Sequence, residues 1–197
     1  KKAYAKAGVQ PPQDIYPPKA GKPDWLANFS NWKKGPDGEP VMVNDESKTL
    51  QAAVAKYNEG VLALDEGVAK LIQTLKETRQ LENTLIVFTS DQGFAWGQHG
   101  LNAKKAPYDA TIRGPLIISW PKLIKSGQVC NVPVSGVDLV STFFAQAGIE
   151  IPWKMHGHDL TPLLKNPKEE WSNPVIISFQ TDVFGSDTKE LPTPETR

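Results

Sequence analysis

The sequence predicts an α/β fold, and three features indicate it. Within residues 45–80, apolar residues recur at alternating steps of four and three, which is typical of one stripe along a helix: Tyr57, Val61, Leu64, Val68, Leu71 and Leu75. Runs rich in β-branched and apolar residues at 84–89 and 115–120 predict two strands that are buried on both faces. A helix followed by a strand, a loop and a strand is the order of an α/β protein.

The predicted helix at 45–80 has two candidate N-terminal caps, Asp45 and Ser47, whose side-chain oxygens can accept from free backbone N–H groups. Its apolar stripe must pack, and we expect a sheet to cover it. Gly60 and Gly67 each weaken the helix by about 1 kcal/mol relative to Ala. Close approach of a neighbouring element would explain them.

Proline is frequent in residues 1–44, the segment that we call the lead-in. Because proline lacks a backbone donor and breaks helices, this composition predicts extended or looped chain, with a helical turn or two within 25–32. An irregular segment of this length is typical of a functional loop, so we expect the lead-in to cover a site.

The C-terminal part of the chain continues the α/β pattern. A turn and a helix are predicted at 136–147, with Asp138 as the cap and Gly148 as the end. The remaining predicted elements are a loop at 153–158, a short helical turn at 160–164 and a third strand at 174–179.

The composition excludes several classes of function. The chain has 197 residues, 39% of them hydrophobic, which is enough for one medium domain. Its 22 basic and 22 acidic residues give no net charge, which disfavours nucleic-acid binding, and no apolar run approaches the roughly 20 residues of a membrane span. The single cysteine, Cys130, excludes an intramolecular disulfide and is predicted to be a small buried apolar side chain. The chain starts at Lys1, and we expect it to begin inside a larger protein.

Two oxygen-bearing side chains, Asp91 and Gln92, stand at the carboxyl end of the strand predicted at 84–89. Ligands of open α/β sheets bind just beyond such ends. Carboxylate and amide oxygens suit a hard divalent cation such as calcium, and Gly93 lets the backbone turn after them. From this spacing alone, an ordinary turn after a strand is the more common interpretation.

The loop between the two predicted strands carries three further candidates. His99 lies between glycines, where an imidazole could bind an anion or protonate a leaving oxygen. Lys104 or Lys105 could hold the outer oxygens of a sulfate or phosphate group as a fixed positive charge. Taken singly, each of them is more commonly a solvated loop residue.

Other polar groups have weaker patterns. Arg113 is spaced to pair with Asp109. The group His156, His158 and Asp159 looks superficially like a transition-metal site, but two histidines and one acid without further partners are a weak pattern. We expect a structural or surface role for them.

The order and spacing of these groups are more informative than any one of them. The run Phe88-Thr89-Ser90-Asp91-Gln92-Gly93 is followed by Gly97-x-His99-Gly100, by Lys104-x-x-x-Tyr108-Asp109 and by Ile112-Arg113-x-Pro115-Leu116. This resembles the sulfatase family of the alkaline phosphatase superfamily, whose typical run is T-S-D-N-G, G-x-H-G, K-x-x-x-Y-E and R-x-P-L. Further similarity at 137–149 and 157–164 extends the resemblance to about 120 residues, roughly 57–179.

The resemblance implies both a fold and a site. The fold is alkaline-phosphatase-like, with a mixed, mostly parallel sheet flanked by helices and the start of a small C-terminal antiparallel subdomain. Asp91 is implied as a calcium ligand, and Gln92 occupies the position usually held by asparagine, so its longer arm leaves its coordination open. His99 and Lys104 are implied as catalytic and substrate-binding residues, with Lys105 as a weaker substrate-binding candidate.

In this family the nucleophile is a formylglycine, made from Cys or Ser in a C/S-x-P/A-x-R motif. That motif and the aspartate pair that completes the metal site belong to the family's N-terminal portion and do not occur in these 197 residues. We therefore expect residues 1–173 to be the second half of a catalytic domain and residues 174–197 the incomplete start of the next subdomain. The isolated chain is expected to be inactive, with the N-terminal portion of the same protein as its partner.

The function implied by the resemblance is hydrolysis of sulfate esters on a small molecule or carbohydrate, such as a polysaccharide, with calcium and formylglycine as cofactors. The alternatives are a phosphodiesterase, a phosphonate hydrolase or a phosphoethanolamine transferase of the same superfamily, and a non-catalytic binding module. The family also implies a periplasmic or extracellular location.

Overall fold

The computed structural model describes residues 10–104 and 106–178, with the backbone alone for Trp25. These residues form two compact units, one of 10–71, 92–104 and 106–114 and the other of 72–91 and 115–178. In chain order the elements are α1 (Asp24–Ala27), β1 (Trp32–Lys34), β2 (Pro40–Met42), β3 (Asp45–Thr49), α2 (Leu50–Glu77), β4 (Ile86–Thr89), β5 (Ala95–Trp96), β6 (Asn102–Ala103), α3 (Asp109–Ile112), β7 (Leu116–Ser119), α4 (Gly136–Ala147) and α5 (Thr161–Lys165), with 3-10 turns at Leu81–Asn83 and Gln98–Gly100.

The lead-in contains more regular structure than its prolines predict. Strands β1, β2 and β3 form an antiparallel sheet in that order, with Trp32 opposite Met42 and Val41 opposite Thr49. Pro40 is tolerated because it is the first residue of its strand. The helical turn predicted within 25–32 is α1, which begins one residue earlier.

The long helix is confirmed, but it begins at Leu50 rather than near Asp45. Thr49 is its cap, since the Thr49 Oγ1 accepts from the backbone N–H of Ala52 at 3.0 Å. In strand β3 the Asp45 carboxylate accepts instead from the backbone N–H of Ser47 at 3.2 Å. The Asp45 carboxylate, which the sequence pattern predicts as a helix cap, therefore forms a local hydrogen bond within β3 instead.

The apolar stripe of α2 is largely exposed within the described residues, contrary to the prediction that a sheet covers it. Leu71 is 68% exposed and Tyr57 is 53% exposed, whereas Leu50 at the start of the helix is buried. A Cβ built at Gly60 or Gly67 meets nothing within 4 Å. Neither glycine therefore serves the close approach that we expected.

Strands β4 and β7 confirm the two predicted runs, and they pair with each other, from Ile86 opposite Ser119 to Thr89 opposite Leu116. The α/β class is confirmed. Every strand pair within residues 10–104 and 106–178 is antiparallel, so the mostly parallel pairing is not found among them. The strands are also not buried on both faces, since Ile117 is 63% exposed.

Each unit has its own apolar core. The buried residues of the first core are Ile15, Trp32 and Leu50, against which Tyr16, Met42, Val54 and Trp96 pack. The buried residues of the second core are Leu139, Leu160 and Leu163, against which Val87, Ile118, Val132, Val134 and Trp171 pack. Because the lead-in supplies much of the first core, it is an integral part of that unit.

Helix α4 confirms the element predicted at 136–147, with a different role for Asp138. The backbone N–H of Ser135 donates to the Asp138 carboxylate at 2.7 Å, so Ser135 is the cap and Asp138 is the third residue of the helix. Gly148, with φ 65°, ends the helix as predicted. Helix α5 confirms the turn predicted at 160–164.

The end of the described chain differs from the prediction. Residues 174–178 form no strand, and Phe179 lies outside the described residues. The domain boundary expected at 173 therefore stays a prediction. No helix of the described chain has the length and apolar character needed to cross a bilayer.

Candidate active site

His99 lies in the hairpin between β5 and β6, residues 95–103, which we call the His99 hairpin. Its connection requires left-handed backbone both at Gly97 (φ 97°) and at His99 (φ 56°). Glycine adopts this conformation readily, whereas a residue with a Cβ is disfavoured there by about 1–2 kcal/mol. The conformation of His99 therefore requires stabilising contacts.

Asn31 and Trp32 of the lead-in form three hydrogen bonds with the His99 hairpin. The Asn31 backbone N–H donates to the Gly100 carbonyl at 2.8 Å, and the Asn31 side-chain oxygen accepts from the Asn102 N–H at 3.0 Å. The Trp32 Nε1–H donates to the Leu101 carbonyl at 3.1 Å. These bonds fix the hairpin to the first core, because Trp32 is itself a buried core residue.

The two glycines around His99 allow the lead-in to approach closely. A Cβ at Gly97 would lie 2.7 Å from Ile15 Cδ1, and a Cβ at Gly100 would lie 2.9 Å from Lys19 Nζ. Both glycines also have positive φ. Packing and backbone conformation thus together account for the G-x-H-G pattern.

Asp14 of the lead-in holds His99 by its backbone and by its ring. One carboxylate oxygen accepts from the His99 backbone N–H at 3.0 Å, and the other lies 2.5 Å from His99 Nδ1. Partial burial opposes ionisation of Asp14, but the hydrogen bonds and the charge of His99 outweigh it, and the pKa of Asp14 lies below its usual value. Asp14 is therefore an ionised carboxylate that stabilises the unusual backbone of His99 and orients its imidazole.

Tyr108 packs against the ring of His99. The rings of His99 and Tyr108 are 4.1 Å apart between centroids, at an interplanar angle of 40°. Lys22 Nζ lies 4.5 Å from the centre of the Tyr108 ring, within the range of a cation–π contact. Burial raises the pKa of Tyr108, and the negative charge of Asp14 adds to that effect. Tyr108 therefore stays a neutral phenol at physiological pH.

A second lysine of the lead-in, Lys19, is buried, with 5% of its surface exposed. Its ammonium donates to the Phe29 carbonyl. Burial lowers the pKa of Lys19, the negative charge of Asp14 opposes this, and the positive charge of Lys22 adds to it. Asp14 thus interacts with His99 and Lys19, and Lys22 interacts with Lys19. A cluster with more basic than acidic groups suits an anionic ligand.

Asp91 and Gln92 follow β4 at its carboxyl end, after Ser90, as the sequence predicts. Asp91 is exposed and Gln92 is partly buried. The Gly93 N–H donates to the Thr111 carbonyl at 3.1 Å, and a Cβ at Gly93 would lie 2.3 Å from the Ala110 carbonyl oxygen. Gly93 is therefore required by close packing, which is a stronger reason than the sharp turn expected from the sequence.

Of the two candidate lysines, Lys104 is partly buried just after β6, and Lys105 lies outside the described residues. The structure brings His99 into contact with Tyr108, which joins the G-x-H-G and K-x-x-x-Y parts of the pattern. The roles assigned to Asp91, Gln92 and Lys104 stay predictions.

The described residues contain no complete metal site. Within 10–104 and 106–178, no group of three or more His, Cys, Asp or Glu side chains could hold a metal ion. Asp91 and Gln92 are donors of the type that calcium takes, but they would supply only part of its shell of about six to eight oxygens.

The histidines of the 156–159 loop and the cysteine have other surroundings. The His158 backbone N–H donates to the buried Asp138 carboxylate at 2.8 Å, and its ring lies edge-on to Trp171 at 6.1 Å. This is consistent with the structural role expected for His158. Cys130 is exposed, so its prediction as a buried apolar side chain is wrong. Arg113 pairs with Asp109 at 3.5 Å, as the spacing indicates.

Sequence reasoning missed three charged residues of this site, Asp14, Lys19 and Lys22. Asp14 is 85 positions from His99, in a segment without periodicity. The only signal in the sequence was their presence in a proline-rich lead-in that was expected to cover a site.

The fold and the order of the motifs define a chain of the alkaline-phosphatase-like α/β class, as the solved structures of similar fold also indicate. The sulfatase family model matches residues 9–149, which is more than half of the chain. The chain belongs to the sulfatase family. Membership of this family implies a metal ion and a formylglycine.

Two curated relatives illustrate the similarity. An N-acetylglucosamine-6-O-sulfatase of Bacteroides thetaiotaomicron is 41% identical over 116 residues, which is 59% of this chain and 21% of the relative. The human N-acetylglucosamine-6-sulfatase is 32% identical over 142 residues, which is 71% of this chain and 26% of the relative.

Two solved structures are similar in fold to part of this chain. One, a complex with its substrate D-glucosamine-2-N,6-O-disulfate, has a TM-score of 0.57 and 41% identity over 60% of this chain and 24% of that chain. Another, a phosphonate monoester hydrolase from Silicibacter pomeroyi, has a TM-score of 0.58 and 35% identity over 62% of this chain and 24% of that chain. The chain thus spans between 21% and 26% of the length of these relatives and structures.

Proposed function

We propose that the protein that carries this chain hydrolyses sulfate esters and that its substrate is a sulfated carbohydrate. The family match over residues 9–149 supports the class of reaction. The observation that carries the proposal is the contact of His99 with Tyr108, because it brings two separate parts of the family pattern to one position.

In this proposal Asp91 and Gln92 supply oxygen ligands to a calcium ion. Both follow β4 at its carboxyl end, where ligands of α/β proteins bind. Carboxylate and amide oxygens are the donors that calcium prefers. When bound, the metal ion and the formylglycine supply charge stabilisation at the sulfate group and the nucleophile.

His99, Lys104 and Lys105 act on the anionic group of the substrate. Because Asp14 engages Nδ1 of the His99 ring, Nε2 is the nitrogen that remains to exchange a proton with the leaving oxygen. A lysine ammonium at 104 neutralises charge on the outer sulfate oxygens, with Lys105 as the second candidate.

The names of the relatives support a substrate class and a location. Two are N-acetylglucosamine 6-sulfatases, and one solved structure holds a sulfated glucosamine. Sulfated amino sugars are therefore the first substrates to test. A Drosophila melanogaster relative, 35% identical over 120 residues, is named an extracellular sulfatase, which supports a periplasmic or extracellular location for this protein.

A second candidate function is phosphonate monoester hydrolysis. The observation that favours it is the fold similarity to the Silicibacter pomeroyi phosphonate monoester hydrolase at 35% identity. A phosphonate monoester and a sulfate ester both present charged oxygens to the same basic side chains, so these side chains alone do not choose between the two reactions.

The test is a substrate comparison with the complete protein. Turnover of an aryl sulfate, glucosamine 6-sulfate and an aryl phosphonate monoester is measured with calcium and after chelation. We expect the highest kcat/KM for a sulfate ester, with loss of activity on chelation. Asp91→Ala and Lys104→Ala should each lower kcat/KM by roughly 100-fold or more, while the exposed control Lys125→Ala should not.

Three outcomes would change the proposal. Preference for the phosphonate ester would move the protein to the second candidate function. Absence of turnover and of calcium binding in calorimetry would indicate a non-catalytic module. Turnover by residues 1–197 alone would contradict the prediction that this chain is inactive by itself.

A further inference from the structure

We propose that Asp14 is a positioning residue for His99, holding the ring nitrogen Nδ1 and the residue's backbone N–H with the two oxygens of one carboxylate. The inference rests on the proposed function of His99 and adds a residue that no motif in the sequence indicates.

The geometry defines the state of the ring. A carboxylate only accepts hydrogen bonds, so the 2.5 Å contact between Asp14 and His99 Nδ1 requires a proton on Nδ1. The second oxygen, 3.0 Å from the His99 backbone nitrogen, prevents the ring and the backbone from moving separately. Nε2 is then the nitrogen presented to a substrate. The same relation between a carboxylate, a histidine and a proton recurs in enzymes with catalytic triads.

The surroundings keep the carboxylate in place. Ile15, next to Asp14 in the chain, is buried against Gly97 of the hairpin. The groups near the pair are the ammonium of Lys19, which interacts with Asp14 and with Lys22, and the phenol of Tyr108, which packs on the His99 ring and contacts the Lys22 ammonium. Asp14 is the acid among them, and it balances charge next to His99 when the imidazole is protonated.

The first experiment compares kcat with KM for an aryl sulfate in the complete protein. Asp14→Asn should lower kcat by roughly tenfold or more while KM changes less than about twofold, because proton exchange at the ring is impaired and binding is retained. Asp14→Glu, which keeps the charge, should recover part of the loss. The matched control is Asp37→Asn, since Asp37 is an exposed carboxylate of the same unit that also accepts from a loop N–H, that of Glu39 at 3.1 Å.

The second experiment observes the ring directly. The chain has three histidines, so the imidazole nitrogen–proton correlations of full-length residues 1–197 are few enough to assign by substitution. We expect a protonated Nδ1 for His99, with slow proton exchange, and its loss in Asp14→Asn. His156 and His158 serve as internal controls for folding in the same spectrum.

The outcomes separate this inference from the proposed function. A wild-type protein inactive on every sulfate ester would contradict the proposed function and the inference together. An active wild type with kcat unchanged in Asp14→Asn would overturn the inference alone, as would a His99 ring protonated only on Nε2. If Asp14→Asn lowers the yield of folded protein, Asp14→Glu and the wild-type spectrum decide the question by the same criteria.

Discussion

Two regions of the molecule differ in how they bury their apolar side chains. Beneath the His99 hairpin, Ile15 and Trp32 are each only 2% exposed. Along β4 and β7, by contrast, Ile117 is 63% exposed and Phe88 is 38% exposed. The hairpin therefore packs on a buried apolar core, whereas strands β4 and β7 keep part of their apolar surface exposed.

The difference shows which part of the candidate site this chain builds from its own residues. The backbone and ring of His99 are fixed by the lead-in through Asp14, Asn31 and Trp32. Asp91 stands exposed at the end of β4, and no group of acidic, histidine or cysteine side chains of the described chain forms a metal site around it. The surroundings of His99 are thus better defined by the described residues than those of Asp91.

The largest expected effect is on the core below the His99 hairpin. Trp32→Ala should lower the free energy of unfolding by about 3–5 kcal/mol, because it removes a buried ring and the hydrogen bond to the Leu101 carbonyl. Trp153→Ala, at a position 62% exposed, should cost about 1 kcal/mol or less. Urea denaturation followed by circular dichroism measures both. Equal costs would mean that the two positions are equally buried in solution.

Alanine substitutions at Gly93 and at Gly60 should change stability in opposite directions. Gly93→Ala places a Cβ 2.3 Å from the Ala110 carbonyl oxygen and should destabilise by about 1–3 kcal/mol. The Cβ added by Gly60→Ala meets nothing within 4 Å. Because alanine favours a helix more than glycine does, this substitution should stabilise the protein by about 1 kcal/mol. Thermal unfolding of the two variants beside the wild type measures the shifts. A destabilising Gly60→Ala would show that another surface covers this face of α2.

The difference between local patterns and contacts between distant segments explains how much of the fold could be predicted from the sequence. Periodicity located α2, runs of β-branched and apolar residues located β4 and β7, and end signals located α4, because regular elements leave local patterns. These patterns could not show that β3 precedes α2, since Asp45 and Ser47 fit a helix cap as well as a turn in a strand. They also could not show which apolar stripes find a partner, because burial depends on contacts between distant segments.

Some residues of the candidate site stand in motifs that the sequence shows, and others do not. His99 with its flanking glycines and Tyr108 stand in two neighbouring motifs, and the structure brings His99 and Tyr108 together. Asp14 was not predictable, because its role comes from a contact across 85 positions and no local pattern surrounds Asp14 itself. Long-range pairs of this kind become visible only when the chain is folded.

A smaller effect concerns the pH dependence of stability. The pKa of Asp14 is lower in the folded chain than its usual 3.8, so its contacts stabilise the fold fully above that value and are lost as pH falls through the lower folded pKa. The stability difference between wild type and Asp14→Asn should therefore shrink as the pH falls below 3.8. Urea titrations at a series of pH values measure it, with Asp37→Asn as the control. A difference that grows in acid would contradict the ionised state of Asp14.

The smallest expected effect, in the chain of 197 residues, is at the exposed stripe of α2. Leu71→Ala should change stability by no more than about 0.5 kcal/mol, since the side chain is 68% exposed. Leu50→Ala, at the buried end of the same helix, should cost about 2–5 kcal/mol. The informative measurement repeats both substitutions in the complete protein. If Leu71→Ala then approaches the cost of Leu50→Ala, the stripe is a contact surface, as exposed apolar patches usually are. If its cost stays small there too, the apolar period of α2 reflects a solvent-facing helix, and the prediction that a sheet covers it is wrong for the whole protein.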